Sequence, residues 1–230
     1  MKILINDKMQ KATGIPASII TPALADRYIT TNTFTATFAD DQIVDCIGIG
    51  YTDATEVEIS DGSDSVTITL PYTTASERVF NNGLYLLDMT FDSDTYTITH
   101  DGNYIGRVGI GKYRTLGTAP SKELGFYSTN ESRKTLSGQV ISGAGGYCGR
   151  TIDLDVRYKI DNDIYNDIWA AYTTQIGKEY PYFILLDDEQ HKVPASMLHF
   201  YAQTDKPISK LQSSSYRFLY SYKFQFQECF

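Results

Sequence analysis

The chain has little of what most catalytic and cofactor-binding proteins rely on. Among 230 residues it has three cysteines, three histidines and one tryptophan. Cys46, Cys148 and Cys229 stand far apart, with no C-x-x-C pair. That spacing excludes a disulfide framework and a thiolate zinc or redox motif. Basic residues are outnumbered, 20 against 28 acidic, giving a net charge of -8, and no run of four occurs. A non-specific nucleic-acid groove needs clustered Lys and Arg to neutralise phosphates, so no nucleic-acid partner is expected. The same lack of basic clusters argues against anionic lipid. No apolar stretch approaches the roughly 18 residues of a membrane helix. Met1-Lys2-Ile3-Leu4-Ile5-Asn6-Asp7 turns polar too early for a secretory leader, so synthesis in a reducing cytosol is expected.

The motifs that remain are incomplete. Gly106-Arg107-Val108-Gly109-Ile110-Gly111 lacks the G-x-G-x-x-G order, and no Walker Lys-Ser/Thr follows it. It reads as hairpin or junction glycines. No G-x-S-x-G elbow is present. Cys148 lies near Arg150, but no histidine base can be placed beside it. His191 and His199 follow Asp187, Asp188 and Glu189 without a third convergent ligand, so no metal site is expected. Asp61, Asp64, Asp92 and Asp94 do not follow the order of a calcium loop. Asp153 and Asp155 share a strand face, which alone makes no acid–base pair. The expectation is a non-enzymatic protein with no cofactor.

What is abundant is tyrosine, with 18 copies, and an aromatic share of 13%. Tyr suits half-buried sheet faces and interfaces, and both readings stay open. Phe34, Ala36 and Phe38 alternate, and Asp40-Asp41 reads as a turn. An apolar run follows at Ile43 to Ile49. Val57 and Ile59 alternate, Asp61-Gly62 turns, and Val66, Ile68 and Leu70 alternate again. Asn82-Gly83 and Asp101-Gly102 mark two further turns around Leu84 to Leu87, Tyr96, Ile98 and Tyr104. Short strands at this spacing predict an antiparallel β-sandwich of jelly-roll type over residues 1–108.

Residues 109–230 read as an α+β assembly domain. Thr151 to Tyr158 alternates as a strand. From Asp161, apolar residues at Ile164, Tyr165, Ile168, Trp169, Tyr172 and Ile176 have helical spacing, stopped before Pro181. This predicts one main helix, over 161–178, packed on a sheet. In the stretch Tyr216 to Phe230, Phe218, Tyr220, Tyr222, Phe224 and Phe226 share one parity. Such an aromatic strand is an aggregation hazard unless covered. The fold class is therefore mainly β with two domains. Gly143, Gly145, Gly146, Tyr147 and Arg150 make a glycine-dense loop, read either as a plain surface loop or as one that fits a neighbouring subunit. Tyr51, Tyr72, Tyr85 and Tyr104 are the residues on which a sugar could stack if the first domain bound carbohydrate.

Several phrases resemble structural proteins of tailed-bacteriophage virions, tail-tip or baseplate-associated proteins above all. They are Gly125-Phe126-Tyr127-Ser128-Thr129-Asn130-Glu131-Ser132-Arg133, Tyr147-Cys148-Gly149-Arg150-Thr151-Ile152-Asp153-Leu154-Asp155-Val156-Arg157-Tyr158 and Tyr216-Arg217-Phe218-Leu219-Tyr220-Ser221. Cys46-Ile47-Gly48-Ile49-Gly50-Tyr51-Thr52 and Asn82-Gly83-Leu84-Tyr85-Leu86 are similar to jelly-roll modules that such proteins carry. The resemblance implies a virion component made in the bacterial host cytoplasm. Its implied partners are copies of itself in a ring and other tail proteins. The alternative is a carbohydrate-binding module, with a host-surface glycan as partner.

Overall fold

The computed structural model describes residues 2–4, 7–20, 31–70, 83–115, 121–128, 132–134, 140–142, 148–159, 181–186, 199–204, 212–214 and 219–228. The chain divides into two compact units. One comprises Met1–Gly117, Asp161–Gln203 and Cys229–Phe230; the other comprises Thr118–Ile160 and Thr204–Glu228.

In the first unit, β1 (Lys2–Leu4) precedes two short 3-10 turns, Lys8–Lys11 and Ala17–Ile20. Then come β2 (Thr33–Thr52), β3 (Glu56–Ser60), β4 (Ser65–Thr69), β5 (Gly83–His100), β6 (Ile105–Gly111) and β7 (Tyr113–Thr115). Strands β2 to β6 form one five-stranded sheet in the order β4-β3-β5-β2-β6, with every pair antiparallel. A second set of strands pairs β1 with β7 on one side and with β12 (Tyr182–Leu185) on the other. β12 in turn pairs with β13 (His199–Thr204).

The two long strands explain the core. On β2, Phe34, Ala36, Phe38 and Val44 face it with even parity, whereas Ile47 and Ile49 face it with odd parity. The β2–β5 register shifts between Val44 and Cys46, and again between Thr37 and Gln42. Each shift is of three residues, an odd number, so the inward parity changes on β5 from Tyr96 and Ile98 to Phe91 across Thr37–Gln42, and on β2 from Val44 to Ile47 across Val44–Cys46. Both halves of β2 therefore serve one cluster, with Val57, Ile59, Phe91, Tyr96, Ile98, Val108 and Ile110. On the opposite face Leu4, Cys46, Leu84 and Phe183 form a smaller cluster, so β1 and β12 cover part of the sheet. Tyr96 closes the bend between Thr37 and Gln42: its hydroxyl donates to Gln42 O and accepts from Ser93 N. Burial, with nearby carboxylates, pushes its pKa up to about 12.

The second unit is built from β8 (Ser121–Ser128), β9 (Ser132–Lys134), β10 (Val140–Ser142), β11 (Cys148–Lys159), β14 (Gln212–Ser214) and β15 (Leu219–Glu228). β11 lies between β8 and β15, while β9 and β10 pair as a separate hairpin. β15 has β11 on one side and β14 on the other, so its backbone is used within the chain. Phe226 is buried and Gln225 exposed, the alternation expected there.

These findings correct the expected fold class. Residues 1–108 do not form a jelly-roll sandwich. Strands β2 to β6 make one open sheet, and part of the layer covering it, β12, comes from residues 182–185. Two-residue periodicity specifies which side chains face a core, not which segment covers it. Asp40-Asp41 is not a turn either: β2 runs through it as a bulged strand. Gly106 to Gly111 is a fully buried strand rather than a hairpin. The α+β domain is likewise replaced by antiparallel β structure. The only helical segments among the described residues are the two four-residue turns. Residues 161–178, where the helix was expected, lie outside the described residues.

Candidate functional site

One end of the five-stranded sheet collects polar and aromatic groups from two turns. The β2–β3 turn brings Asp53 and Thr55; the β5–β6 turn brings Asp101, Gly102, Asn103 and Tyr104. Each aspartate braces the opposite turn. Asp53 Oδ1 accepts from Asn103 N at 2.8 Å and Tyr104 N at 3.2 Å, and its Oδ2 from Asn103 Nδ2 at 2.7 Å. Asp101 Oδ1 accepts from Thr55 N at 2.8 Å and Glu56 N at 2.9 Å, and its Oδ2 from Thr55 Oγ1. Burial works against the Asp101 charge, but these donors win and hold its carboxyl below the usual range. The two turns approach so closely that a Cβ on Gly102 would lie 2.5 Å from Ala54 N and 2.6 Å from Asp53 Oδ1. Only glycine fits there.

The same end places Tyr51 beside Tyr104, with ring centroids 5.1 Å apart and planes tilted by 38°. Tyr51 is the one non-glycine residue with positive φ (54°) among the described residues. That conformation costs on the order of 1–3 kcal/mol and persists only where the surroundings fix it. Thr52 supplies that constraint: its hydroxyl donates to Tyr104 O at 2.7 Å and accepts from Ala54 N at 3.0 Å. Both rings are half-buried.

Of the four tyrosines named from sequence, the structure thus unites Tyr51 and Tyr104. Tyr85 is 5% exposed, inside the main core. Tyr72 lies outside the described residues, as do Gly143, Gly145, Gly146 and Tyr147. Arg150 sits on β11, where its Nε donates to Glu228 Oε2 at 2.9 Å, its Nη2 to Oε1, and its backbone N–H to Oε2 at 3.1 Å. This forked pair is intrachain.

Two features were missed in the sequence. The first is a hydroxyl-lined outer face on β2 to β5. Thr33, Thr99, Glu58 and Thr67 align across four strands, and Thr35, Thr97, Ser60 and Ser65 form the next rank. Thr33–Thr99 and Thr35–Thr97 hydroxyls lie 3.3 Å apart. The signal was the two-residue spacing in Thr33-x-Thr35-x-Thr37, Ser65-x-Thr67-x-Thr69 and Thr95-x-Thr97-x-Thr99.

The second is a buried ion pair between Asp7 and Arg107, which are 7% and 1% exposed. Arg107 Nη1 also donates to Ile19 O at 3.0 Å, while Met9 N and Ile110 N donate to Asp7 Oδ1 at 3.0 and 3.2 Å. One carboxylate thus ties the N-terminal segment to β6.

No cluster of three or more metal-ligating side chains occurs among the described residues. Cys46 is buried and free of disulfide bonding, and its thiol donates to Gly111 O. Burial and the neighbouring Asp45 charge push its pKa well up, so it is held as an unreactive thiol. Comparison with protein-family models, with characterised proteins and with solved structures finds no match.

Proposed function

We propose that the chain is a structural component of a phage tail, serving subunit assembly rather than chemistry. The observation that carries this reading is how its described interior charges are used. Asp7 closes on Arg107, and Glu228 on Arg150, as internal braces. A charge engaged in this way stiffens the fold and offers no acid, base or nucleophile to a substrate. The described outer face of β2 to β5 is lined by short, χ1-restricted threonines, a rigid surface suited to repeated contacts. The virion-like phrases around β8, β11 and β15 point the same way. On this reading the protein is made in the bacterial cytoplasm and resides in the virion, against copies of itself and other tail proteins.

Gold-labelled antibody against the purified chain tests this on particles from the producing host. Label is expected at one end of the tail of intact particles. Label found only in the soluble fraction overturns the proposal.

A further inference from the structure

We infer that Tyr51 and Tyr104, flanked by Asp53 and Asn103, form a binding subsite for a neutral saccharide. A pyranose ring offers an apolar C–H face and pairs of adjacent hydroxyls. Its recognition calls for an aromatic surface and, at its rim, planar groups that both donate and accept. Both are brought together at this end of the sheet. The tyrosine rings are in contact and part-exposed. Asn103 is exposed and gives one Nδ2–H to Asp53 Oδ2, leaving its second N–H and its Oδ1 for a ligand. Asp53 Oδ2 keeps a further acceptor position beside it, so the pair can bond two neighbouring hydroxyls.

The geometry is set before any ligand arrives. Asn103 and Asp53 are fixed by backbone N–H groups and by each other, and Tyr51 is held at positive φ between braced neighbours. Such preorganisation lowers the ordering cost of binding. Residues 51–56 and 101–104 contain three carboxylates and no lysine or arginine. That charge disfavours phosphate, sulfate or carboxylate ligands and leaves an uncharged polyol as the fitting class. This inference is independent of the assembly reading, which stands or falls on particle labelling.

The test is saturation-transfer NMR on the full chain with glucose, galactose, N-acetylglucosamine and maltose at millimolar concentration. Transfer to at least one sugar is expected, strongest at the C–H protons of one ring face. Tyr104→Ala should weaken binding at least tenfold, and Asn103→Ala severalfold. Tyr51→Gly is the decisive variant. Glycine accepts positive φ, so the fold should remain, shown by an unchanged circular-dichroism spectrum, while binding is lost. Thr35→Val, on the hydroxyl face, should bind like the parent protein. No transfer to any of the four sugars with folded protein overturns the inference. So does binding that survives Tyr51→Gly or Tyr104→Ala.

Discussion

Arg107→Ala is expected to destabilise the first unit strongly, by about 3–5 kcal/mol. Arg107 is 1% exposed and its guanidinium reaches both Asp7 and the Ile19 carbonyl. Removing it strands a carboxylate where water cannot follow. Met9 N and Ile110 N still bond Asp7, but they do not cancel its charge. The loss has a pH signature. In the folded protein burial raises the Asp7 pKa, opposed by the Arg107 charge and by those two N–H groups. A carboxyl raised on folding binds its proton more tightly in the native state. Its contribution is therefore fully present below the unfolded value, about 3.9, and is lost as pH rises through the folded value. Without Arg107 that raise becomes larger. The Arg107→Ala deficit should thus be greatest at neutral pH and shrink towards about pH 4, where Asp7 is protonated. Urea denaturation of both proteins across this range measures it. An equal deficit at every pH would show that lost packing, not a stranded charge, is the cause.

Gly48→Ala is expected to destabilise by about 1–3 kcal/mol, an unusual cost for one added methyl group. A Cβ at Gly48 would stand 2.2 Å from Phe183 Cδ2 and 2.3 Å from its Cγ. Phe183 is 2% exposed among Leu4, Cys46 and Leu84, so its ring has little room to retreat. Phe183→Ala should cost about 3–5 kcal/mol by leaving a cavity. The double variant is the informative one. With the ring gone the new methyl fits, so the combined cost should be well below the sum of the single costs. Additive costs in thermal or urea denaturation would show that β12 does not seat Phe183 on Gly48.

Sequence periodicity foretold the strands more faithfully than their arrangement. Val57, Ile59, Val66, Ile68, Tyr96 and Ile98 sit on strands with the alternation read for them, and Asp61-Gly62 makes its turn, with Asp61 accepting from Ser63 N and Asp64 N. What misled was length. A twenty-residue strand with two register shifts looks, in sequence, like two strands and a turn at Asp40-Asp41. The covering of Gly48 by Phe183 spans 135 positions, and no local pattern reports it. The Asp7–Arg107 pair has the same origin: each residue alone looks like an ordinary surface charge.

The candidate site was legible in part. Tyr51 and Tyr104 could be named, with Tyr72 and Tyr85, as aromatics on which a sugar could stack. Their meeting could not be read, since it depends on two turns locked together through Asp53 and Asp101. The threonine face exists only where four strands align, and no single strand's alternation reports that alignment.

The central claim is that this chain is an assembled part of a particle, and a cryo-EM map of the intact virion tests it most directly. The map should contain the chain in symmetry-related copies at the tail. Residues 109–230 should make the contacts with neighbouring copies. A map that lacks the chain contradicts the claim. So does one that leaves residues 109–230 in open solvent, with every subunit contact made by residues 1–108.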